Sequence, residues 1–165
     1  MKDLIVSFGF FCCSQRELEN LEVVESFRYL GIVFHFNGKF ILCKKSLKEQ
    51  ATKAMFALLN KCRRLSLPLD IQLELFDHTV LPILIYGCEI WGSGCNKILE
   101  SVHLKFLKYV IGVKNSTPTC MVYGETGRYP IDVHIKVRVV NYWISIINGK
   151  STKLCYKMYN ALHNL

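Results

Sequence analysis

The sequence predicts a mostly α-helical bundle preceded by an N-terminal β-hairpin. Two segments with apolar residues at helical spacing, 46–65 and 69–87, follow one another in the first half of the chain. Before them, residues 22–43 are rich in aromatic and β-branched side chains, which is typical of strands. With 165 residues, of which 51% are hydrophobic, the chain can bury a core as one domain or as two small units.

The net charge of +8 is spread unevenly along the chain. Residues 1–25 carry two basic and five acidic side chains, whereas residues 44–64 carry seven basic side chains and one acidic. A basic block on an ordered helix is the electrostatic feature expected for a protein with a polyanionic partner. A solvated helix surface has the same composition, so composition alone leaves both interpretations open.

The first residues, 1–18, match no pattern that we can assign and form an unassigned leader. Their apolar run, Leu4 to Phe11, is prone to β structure. A secretory signal peptide begins with a more basic segment and contains a small-residue cleavage site, and we find neither here. We therefore expect a strand or a non-native leader at this position.

Eight cysteines are scattered over the sequence without a recognisable pattern. They form no C-x-x-C pair and no Cys/His set with the spacing of a zinc site. Cys62 and Cys88 lie in apolar patterns, where free cysteine behaves as a small hydrophobic residue. We therefore expect no disulfide framework and no bound metal, and an intracellular location in the reducing nucleus or cytoplasm.

The N-terminal hairpin is predicted to span residues 19–43 and to turn at Asn37-Gly38. Val23 to Phe36 supplies the first predicted strand, and Lys39 to Cys43 supplies the second. The dipeptide Asn-Gly between two such runs favours a tight turn, because both central residues need a positive φ. The aromatic residues of the hairpin either belong to the hydrophobic core or form part of a functional surface. The sequence pattern alone favours the first interpretation.

The segment 46–65 is the clearest predicted helix. Ser46 and Glu49 have the spacing of a capping box, in which each side chain satisfies a free backbone donor near the other. Apolar residues recur along one side of this helix at helical period. The predicted buried stripe consists of Leu47, Ala51, Ala54, Met55, Leu58, Cys62 and Leu65.

The side of this helix opposite the buried stripe is basic. Its polar residues are Lys45, Thr52, Lys53, Asn60, Arg63 and Arg64. The small Ala57 lies among them, and cationic side chains around a small residue let a phosphate backbone approach closely. A solvated face would more often mix in acidic residues, and Glu49 is alone here.

The segment 69–87 is predicted to be one long helix with Asp70 as its N-cap and an end near Gly87. Pro82 lies inside the apolar pattern, where it removes a backbone donor and should kink the helix. Because most sides are apolar, neighbouring elements are expected to bury this helix. It is too short and too interrupted by charge to span a bilayer, so we expect no membrane partner.

Two further features follow this helix. Trp91, in a glycine-rich break, is predicted to be a core anchor in preference to a platform for stacking a base.

Asn96 is predicted to cap a third helix that ends at Gly112. The predicted core stripe of the third helix is Ile98, Val102, Phe106 and Val110. Its predicted outer line is Lys97, Ser101, Lys105 and Lys108.

The C-terminal part of the chain is also predicted to be helical. Pro118 opens a short helix that Gly124 closes. Residues 131–139 alternate apolar and polar side chains like a strand, but Pro130 as a first-turn residue favours one helix. That helix continues to Asn148-Gly149, and Ser151 caps a last amphipathic helix that runs to Leu165.

Four short motifs, taken in order, resemble the primer-grip and thumb region of reverse transcriptases from LINE-type (non-LTR) retrotransposons. That family runs from a YLG strand through a basic helix to a PILLYG.E.WG segment and then to YGE.GR.P. This chain carries Tyr29-Leu30-Gly31, the basic helix 46–65, Pro82 to Trp91, and Tyr123 to Pro130 in that order. The similarity covers about residues 19–150, and the ordered set is more specific than any one piece.

The resemblance implies a palm-end hairpin over residues 19–43 and a helical thumb-like domain over 44–165. Tyr29, Leu30 and Gly31 would then form a primer grip, which holds the 3′ end of the growing strand. An RNA–DNA or DNA duplex, bound independently of sequence, is the implied partner, together with the fingers and palm of the parent polymerase. The predicted nucleic-acid-binding residues are Lys45, Lys53, Asn60, Arg63, Arg64, Lys105 and Lys108.

Polymerase chemistry needs paired aspartates that hold two divalent metal ions. The four aspartates of this sequence are never adjacent, and we interpret its five histidines as surface or capping residues that form no ligand set. We therefore expect no catalytic residue and no cofactor, and a chain that is not itself an enzyme. The alternative interpretation is a helical protein-interaction module whose basic faces are only solvated. An active enzyme fragment is disfavoured by the missing carboxylates.

Overall fold

A computed structural model of the protein describes residues 24–149 and 153–163. The fold is mostly α-helical with an N-terminal antiparallel hairpin, as the sequence predicts. The chain divides into two compact units between Cys43 and Lys44. The predicted leader 1–18 and the predicted cap Ser151 lie outside the described residues. The elements are β1 (Ser26–Tyr29), β2 (Ile32–His35), α1 (Ile41–Arg64), α2 (Leu69–Thr79), α3 (Leu81–Leu84), α4 (Cys88–Trp91), α5 (Lys97–Val110), α6 (Thr119–Thr126), α7 (Ile131–Ile147) and α8 (Leu154–His163).

The hairpin turns at Leu30-Gly31, so the predicted turn at Asn37-Gly38 is wrong. Strands β1 and β2 pair antiparallel with Tyr29 opposite Ile32. The φ angles of Leu30 and Gly31 are 46° and 83°, the positive values that a two-residue hairpin turn requires. Both strands therefore lie inside the run that was predicted to be one strand. Asn37-Gly38 forms a separate turn between β2 and α1, where Gly38 has a φ of 68°.

Helix α1 begins at Ile41, ahead of the predicted capping box, because Cys43 extends the buried stripe one turn before Leu47. Ser46 consequently lies inside the helix, where its hydroxyl accepts a hydrogen bond from the Gln50 amide at 3.3 Å. The predicted capping box is wrong. The buried stripe is confirmed at Leu47, Ala51, Met55, Leu58 and Cys62, whereas Ala54 is only half-buried and Leu65, beyond the end of α1, is 68% exposed.

The predicted long helix over 69–87 is divided into two pieces, α2 and α3, and the short helix α4 follows it. Pro82 has no N–H to donate to the carbonyl of His78, and the helix is interrupted at Val80, between α2 and α3. Val80 itself keeps α-helical angles and donates to the carbonyl of Phe76, so the interruption is the kink that the sequence predicts. Gly87, with a φ of 64°, separates α3 from α4 near the end that the sequence predicts.

The N-cap of α2 is Pro68, so the predicted cap at Asp70 is wrong. Asp70 lies in the first turn, where a carboxylate still interacts favourably with the helix dipole. Burial of this segment is also less complete than predicted, since Ile71 is 40% exposed. The buried apolar residues are Leu73, Phe76, Val80, Leu81 and Leu84.

The N-cap position of α5 is Asn96, as predicted, but its side chain makes no capping hydrogen bond. The Asn96 amide donates instead to Asp132 Oδ1 at 3.0 Å, which joins α5 to α7. The buried stripe is rotated slightly from the prediction, since Ile98 and Val110 are only half-buried. The buried residues of α5 are Leu99, Val102, His103, Phe106 and Leu107.

The last two predicted helix boundaries have different outcomes. Helix α6 has Pro118 at its N-cap and ends at Gly127, with a φ of 62°, whereas Gly124 lies inside the helix. The prediction that Gly124 closes it is wrong. Residues 131–147 form one helix, α7, with Asn148 as its C-cap, as predicted. The strand-like alternation at its start reflects exposed valines on one side and buried isoleucines on the other.

Trp91, Phe76 and Phe106 lie at the centre of the helical unit. Trp91 is 1% exposed and donates from Nε1 to the Tyr86 carbonyl at 2.9 Å, which confirms that it is a core anchor. The ring of Phe76 stacks on that of Phe106, with 4.2 Å between centroids, and thereby joins α2 to α5. None of the helices within the described residues is long and apolar enough to cross a membrane.

Glycine is required at position 92, where α4 ends against α7. A Cβ atom placed on Gly92 would lie 2.4 Å from the carbonyl oxygen of Cys88 in α4, and 2.7 Å and 2.8 Å from the Cγ2 atoms of Ile135 and Val139 in α7. Such distances are well inside van der Waals contact, so a larger residue would push α4 away from α7. The Trp-Gly pair of this segment therefore contributes both a core anchor and a close helix approach.

We expect Gly31→Val to weaken the β1–β2 pairing, because a β-branched residue resists a positive φ. The expected cost is about 1–2 kcal/mol. Leu30→Asn should have the opposite effect, because Asn adopts the left-handed conformation more readily than Leu. Amide hydrogen exchange at Phe27 and Phe34, a cross-strand pair, measures both changes.

Gly38→Val is the matched control for this experiment. It introduces the same kind of strain, at a φ of 68°, outside the hairpin turn. Faster exchange at the β1–β2 pairs in Gly38→Val, with no change in Gly31→Val, would contradict the assigned turn.

Candidate nucleic-acid interface

The predicted nucleic-acid-binding residues lie on α1 and α5, and we refer to this set as the basic surface. The five residues on α1 are exposed, on the side of the helix away from Ala51 and Met55, which are 0% and 1% exposed. On α5, Lys105 is exposed and Lys108 is half-buried. The basic surface consists of Lys45, Lys53, Asn60, Arg63 and Arg64 of α1 and Lys105 and Lys108 of α5.

Two contacts between a cation and an aromatic ring join α1 to α5 within the basic surface. The ammonium of Lys105 lies 4.9 Å from the ring centroid of Phe56. The guanidinium carbon of Arg63 lies 5.9 Å from the ring centroid of Tyr109, and Arg63 also donates a hydrogen bond to the Tyr109 hydroxyl. At exposed sites each such cation–π contact contributes about 0.5–1 kcal/mol. Side chains of α1 and α5, the first and third predicted helices, are thus in contact.

Lys108 has a local partner in addition to its place on the basic surface. Its ammonium donates to the carbonyl of Asn115 at 2.6 Å, and so holds the loop that follows α5. An ammonium group has three donors, so two remain for another acceptor. Lys108 therefore holds this loop and can also contact an anionic ligand.

Acidic residues neutralise only part of the charge of the basic surface, since Glu49 is the one acidic residue of α1 and lies four residues from both Lys45 and Lys53. Helices α1 and α5 carry one acidic residue each, Glu49 and Glu100. Glu100 is directed inward, where Oε2 accepts from the backbone N–H of Ile131 at 2.8 Å. Lys53 and Arg64 form no ion pair with any described residue. Their positive charge is therefore available to an anionic partner.

The three residues of the predicted primer grip lie at the tip of the hairpin. Tyr29 is the last residue of β1, and Leu30 and Gly31 form the turn. Tyr29 and Leu30 are 61% and 72% exposed. The motif thus presents two apolar side chains to the outside of the N-terminal unit.

A buried polar cluster surrounds His103, which the sequence analysis interpreted as a surface or capping residue. That interpretation is wrong, since His103 is 2% exposed and its ring stacks on Phe76, with 5.4 Å between centroids. Its Nδ1 lies 3.7 Å from Glu100 Oε1. The sequence signal for its burial was present, because His103 is four residues after Leu99 and three before Phe106, on the core stripe.

Glu100 and Asp77 hold the YGE.GR.P segment against the rest of the helical unit. Glu100 accepts a hydrogen bond from the Tyr123 hydroxyl, and Asp77 pairs with Arg128.

Burial lowers the pKa of His134, which lies in the same cluster. The positive charges of His103 and Arg128 lower this pKa further, and the negative charge of Glu100 raises it. Among the described residues no group of three or more His, Cys, Asp or Glu side chains is placed to hold a metal ion.

Comparison of this chain with protein-family models, with curated proteins and with solved structures finds no match. The likeness to LINE-type reverse transcriptases consequently rests on the four ordered motifs alone, and it stays a prediction.

We expect acid to destabilise the protein in part through His134. Because its folded-state pKa lies below the ordinary value of 6.5, the unfolded chain takes up this proton first as pH falls. The free energy of unfolding should therefore decrease as pH falls below about 6.5, until the folded-state pKa is passed. His134→Gln should lose less stability than the parent between about pH 7.5 and pH 5.5 in urea titrations.

His78→Gln is the control, since His78 is exposed at the end of α2. It measures what the loss of one histidine does at a position that is not buried. Equal losses of stability in His134→Gln and the parent would contradict the assigned role of His134.

Proposed function

We propose that this chain binds template–primer nucleic acid as the primer-grip and thumb-like part of a LINE-like reverse transcriptase, without chemistry of its own. One observation carries the proposal: α1 and α5 expose cations on adjoining sides, held together by the Lys105–Phe56 and Arg63–Tyr109 contacts. The ordered motifs support the assignment of origin. An intracellular location, in the nucleus or cytoplasm, is part of the same proposal.

The length of α1 suits a duplex partner. From Lys45 to Arg64 the helix rises about 28 Å, at about 1.5 Å per residue. One strand of a duplex places a phosphate about every 3.4 Å along the axis. Cations on the exposed side of α1 therefore extend over most of a helical turn of duplex, and small Ala57 leaves room for the backbone to approach. Contacts of this kind read phosphates and not sequence.

One observation favours the second candidate function, a helical protein-interaction module. Helix α7 leaves a row of apolar side chains uncovered, each between 41% and 54% exposed. They are Val133, Val137, Val140, Trp143, Ile144 and Ile147. Contiguous apolar surface of this kind is typical of a contact with another protein. In a parent polymerase the fingers and palm portion would be the partner, so this surface is compatible with both candidates.

We expect the parent chain to bind duplex DNA and an RNA–DNA hybrid with similar affinity, micromolar or weaker at physiological salt. The logarithm of the affinity should fall with the logarithm of the salt concentration by about 0.9 per phosphate contacted, with roughly four contacts. Lys53→Glu combined with Arg64→Glu should weaken binding and flatten this slope. Fluorescence anisotropy titrations at several salt concentrations measure both quantities.

The matched control is Lys153→Glu combined with Lys157→Glu, which makes the same change of net charge on exposed residues outside the basic surface. It should retain more affinity than the Lys53/Arg64 variant. Identical salt-dependence curves for the parent and the Lys53/Arg64 variant would instead mean that the basic surface is only solvated, which would favour the interaction module.

We also expect no nucleotide incorporation on any primer–template, with Mg²⁺ or with Mn²⁺. The reason is the missing aspartate pair, without which two metal ions are not held at a primer end. A primer-extension assay with purified chain tests this. Incorporation above background that is lost in Asp70→Asn, Asp77→Asn or Asp132→Asn would overturn the expectation.

A further inference from the structure

We infer that the basic surface also holds unpaired nucleotides, whose bases stack on Phe56 and Tyr109. The substrate class would then be a duplex that continues into a single strand, in preference to a blunt duplex. This inference rests on the proposed function, since the cations that hold the strand are those of the basic surface.

The two rings differ from ordinary surface aromatics in how they are held. Phe56 and Tyr109 are 46% and 49% exposed, so about half of each side chain is open to a ligand. Each ring is also positioned by a cation from the neighbouring helix, Lys105 for Phe56 and Arg63 for Tyr109. Because each cation lies over its ring, a base would stack on the other face of the ring, while the cation contacts the phosphate of the same strand.

The two ring contacts lie at different points along α1, which suits a short run of unpaired nucleotides. Phe56 and Arg63, whose guanidinium contacts Tyr109, are two helical turns apart on α1, or about 10 Å along its axis. A few unpaired nucleotides are enough to cover this distance. A single strand passing from one ring to the other would therefore keep its phosphates near the cations of α1.

A fully paired duplex does not use these rings. Its bases are stacked on one another, so a protein ring at the backbone meets sugar and phosphate only. Bases of a single strand are free to stack on aromatic side chains, and such stacking tolerates any sequence. The rings therefore add a preference that the phosphate contacts of the proposed function lack.

The test compares three labelled ligands in anisotropy titrations with the full parent chain. The first is a blunt duplex, and the second is the same duplex with a 5′ extension of about six nucleotides, a length that covers both rings. The third carries the same extension as abasic sites, so it has the same phosphates without bases. We expect the base-bearing extension to bind at least about 5-fold more tightly than the abasic extension.

The outcomes separate this inference from the proposed function. Equal binding of the base-bearing and abasic extensions, while the blunt duplex still binds with the expected salt dependence, would overturn the inference and leave the proposed function intact. Absence of salt-dependent binding to all three ligands would overturn the proposed function and the inference with it.

Ring variants locate the effect. Phe56→Leu and Tyr109→Leu should each reduce the preference for the base-bearing extension, whereas Tyr129→Leu, at an exposed aromatic residue outside the basic surface, should not. Tyr109→Phe keeps the ring and should keep most of the preference, although it removes the hydroxyl that accepts from Arg63. An unchanged preference in the two leucine variants would overturn the inference, whatever the parent chain binds.

Discussion

The stack of Phe76 on Phe106 and His103 sets the position of α5, and the basic surface depends on it. These three rings join α2 to α5 at centroid distances of 4.2 Å and 5.4 Å from Phe76. Because they occupy the buried side of α5, Lys105 and Tyr109 are left on its outer side, where they contact Phe56 and Arg63 of α1. A change in this aromatic core would therefore move the cations that we propose to bind nucleic acid.

The motifs that resemble the LINE-type family act in this structure as parts of the scaffold. Trp91 anchors the core, and Gly92 allows α4 to approach α7. Tyr123 bonds to Glu100, and Arg128 pairs with Asp77, so that the YGE.GR.P segment is held in place. The basic surface shares Lys53, Asn60, Arg63 and Arg64 with the basic helix 46–65, which is itself one of the four motifs. Only the contacts of α1 with Lys105 and Tyr109 of α5 are a reason for the proposed function that does not depend on the resemblance.

The sequence predicts the helices well wherever the apolar period is long, as in α1, α5 and α7. It predicts their boundaries less well, because a boundary depends on local competition. Helix α1 begins before the predicted capping box at Ser46, because its buried stripe starts at Cys43. The N-cap of α2 is Pro68 and not the predicted Asp70. The sequence predicts the hairpin turn at Asn37-Gly38 because this dipeptide favours a tight turn more strongly than Leu30-Gly31. The turn lies at Leu30-Gly31 because the pairing of β1 with β2 requires it there.

The candidate site likewise has one part that the sequence predicts and one part that it does not. The cationic side of α1 follows from helical period alone, and it was predicted residue by residue. The contribution of α5 depends on which helices touch, and one sequence taken alone carries no record of that contact. Phe56 and Tyr109 were missed for this reason, since each gains its position from a cation on another helix. His103 was missed because a polar residue was assumed to lie outside the core, although its spacing indicated burial.

The most direct test of the account is to map where a duplex touches the chain. Amide chemical shifts of the labelled protein, followed during addition of a short DNA duplex at about 0.05 M salt, report the site without a mutation. We expect the largest changes along α1 from Lys53 to Arg64 and on α5 from Lys105 to Tyr109, with α7 unaffected. Changes confined to the apolar row of α7, or none at saturating duplex, would contradict it.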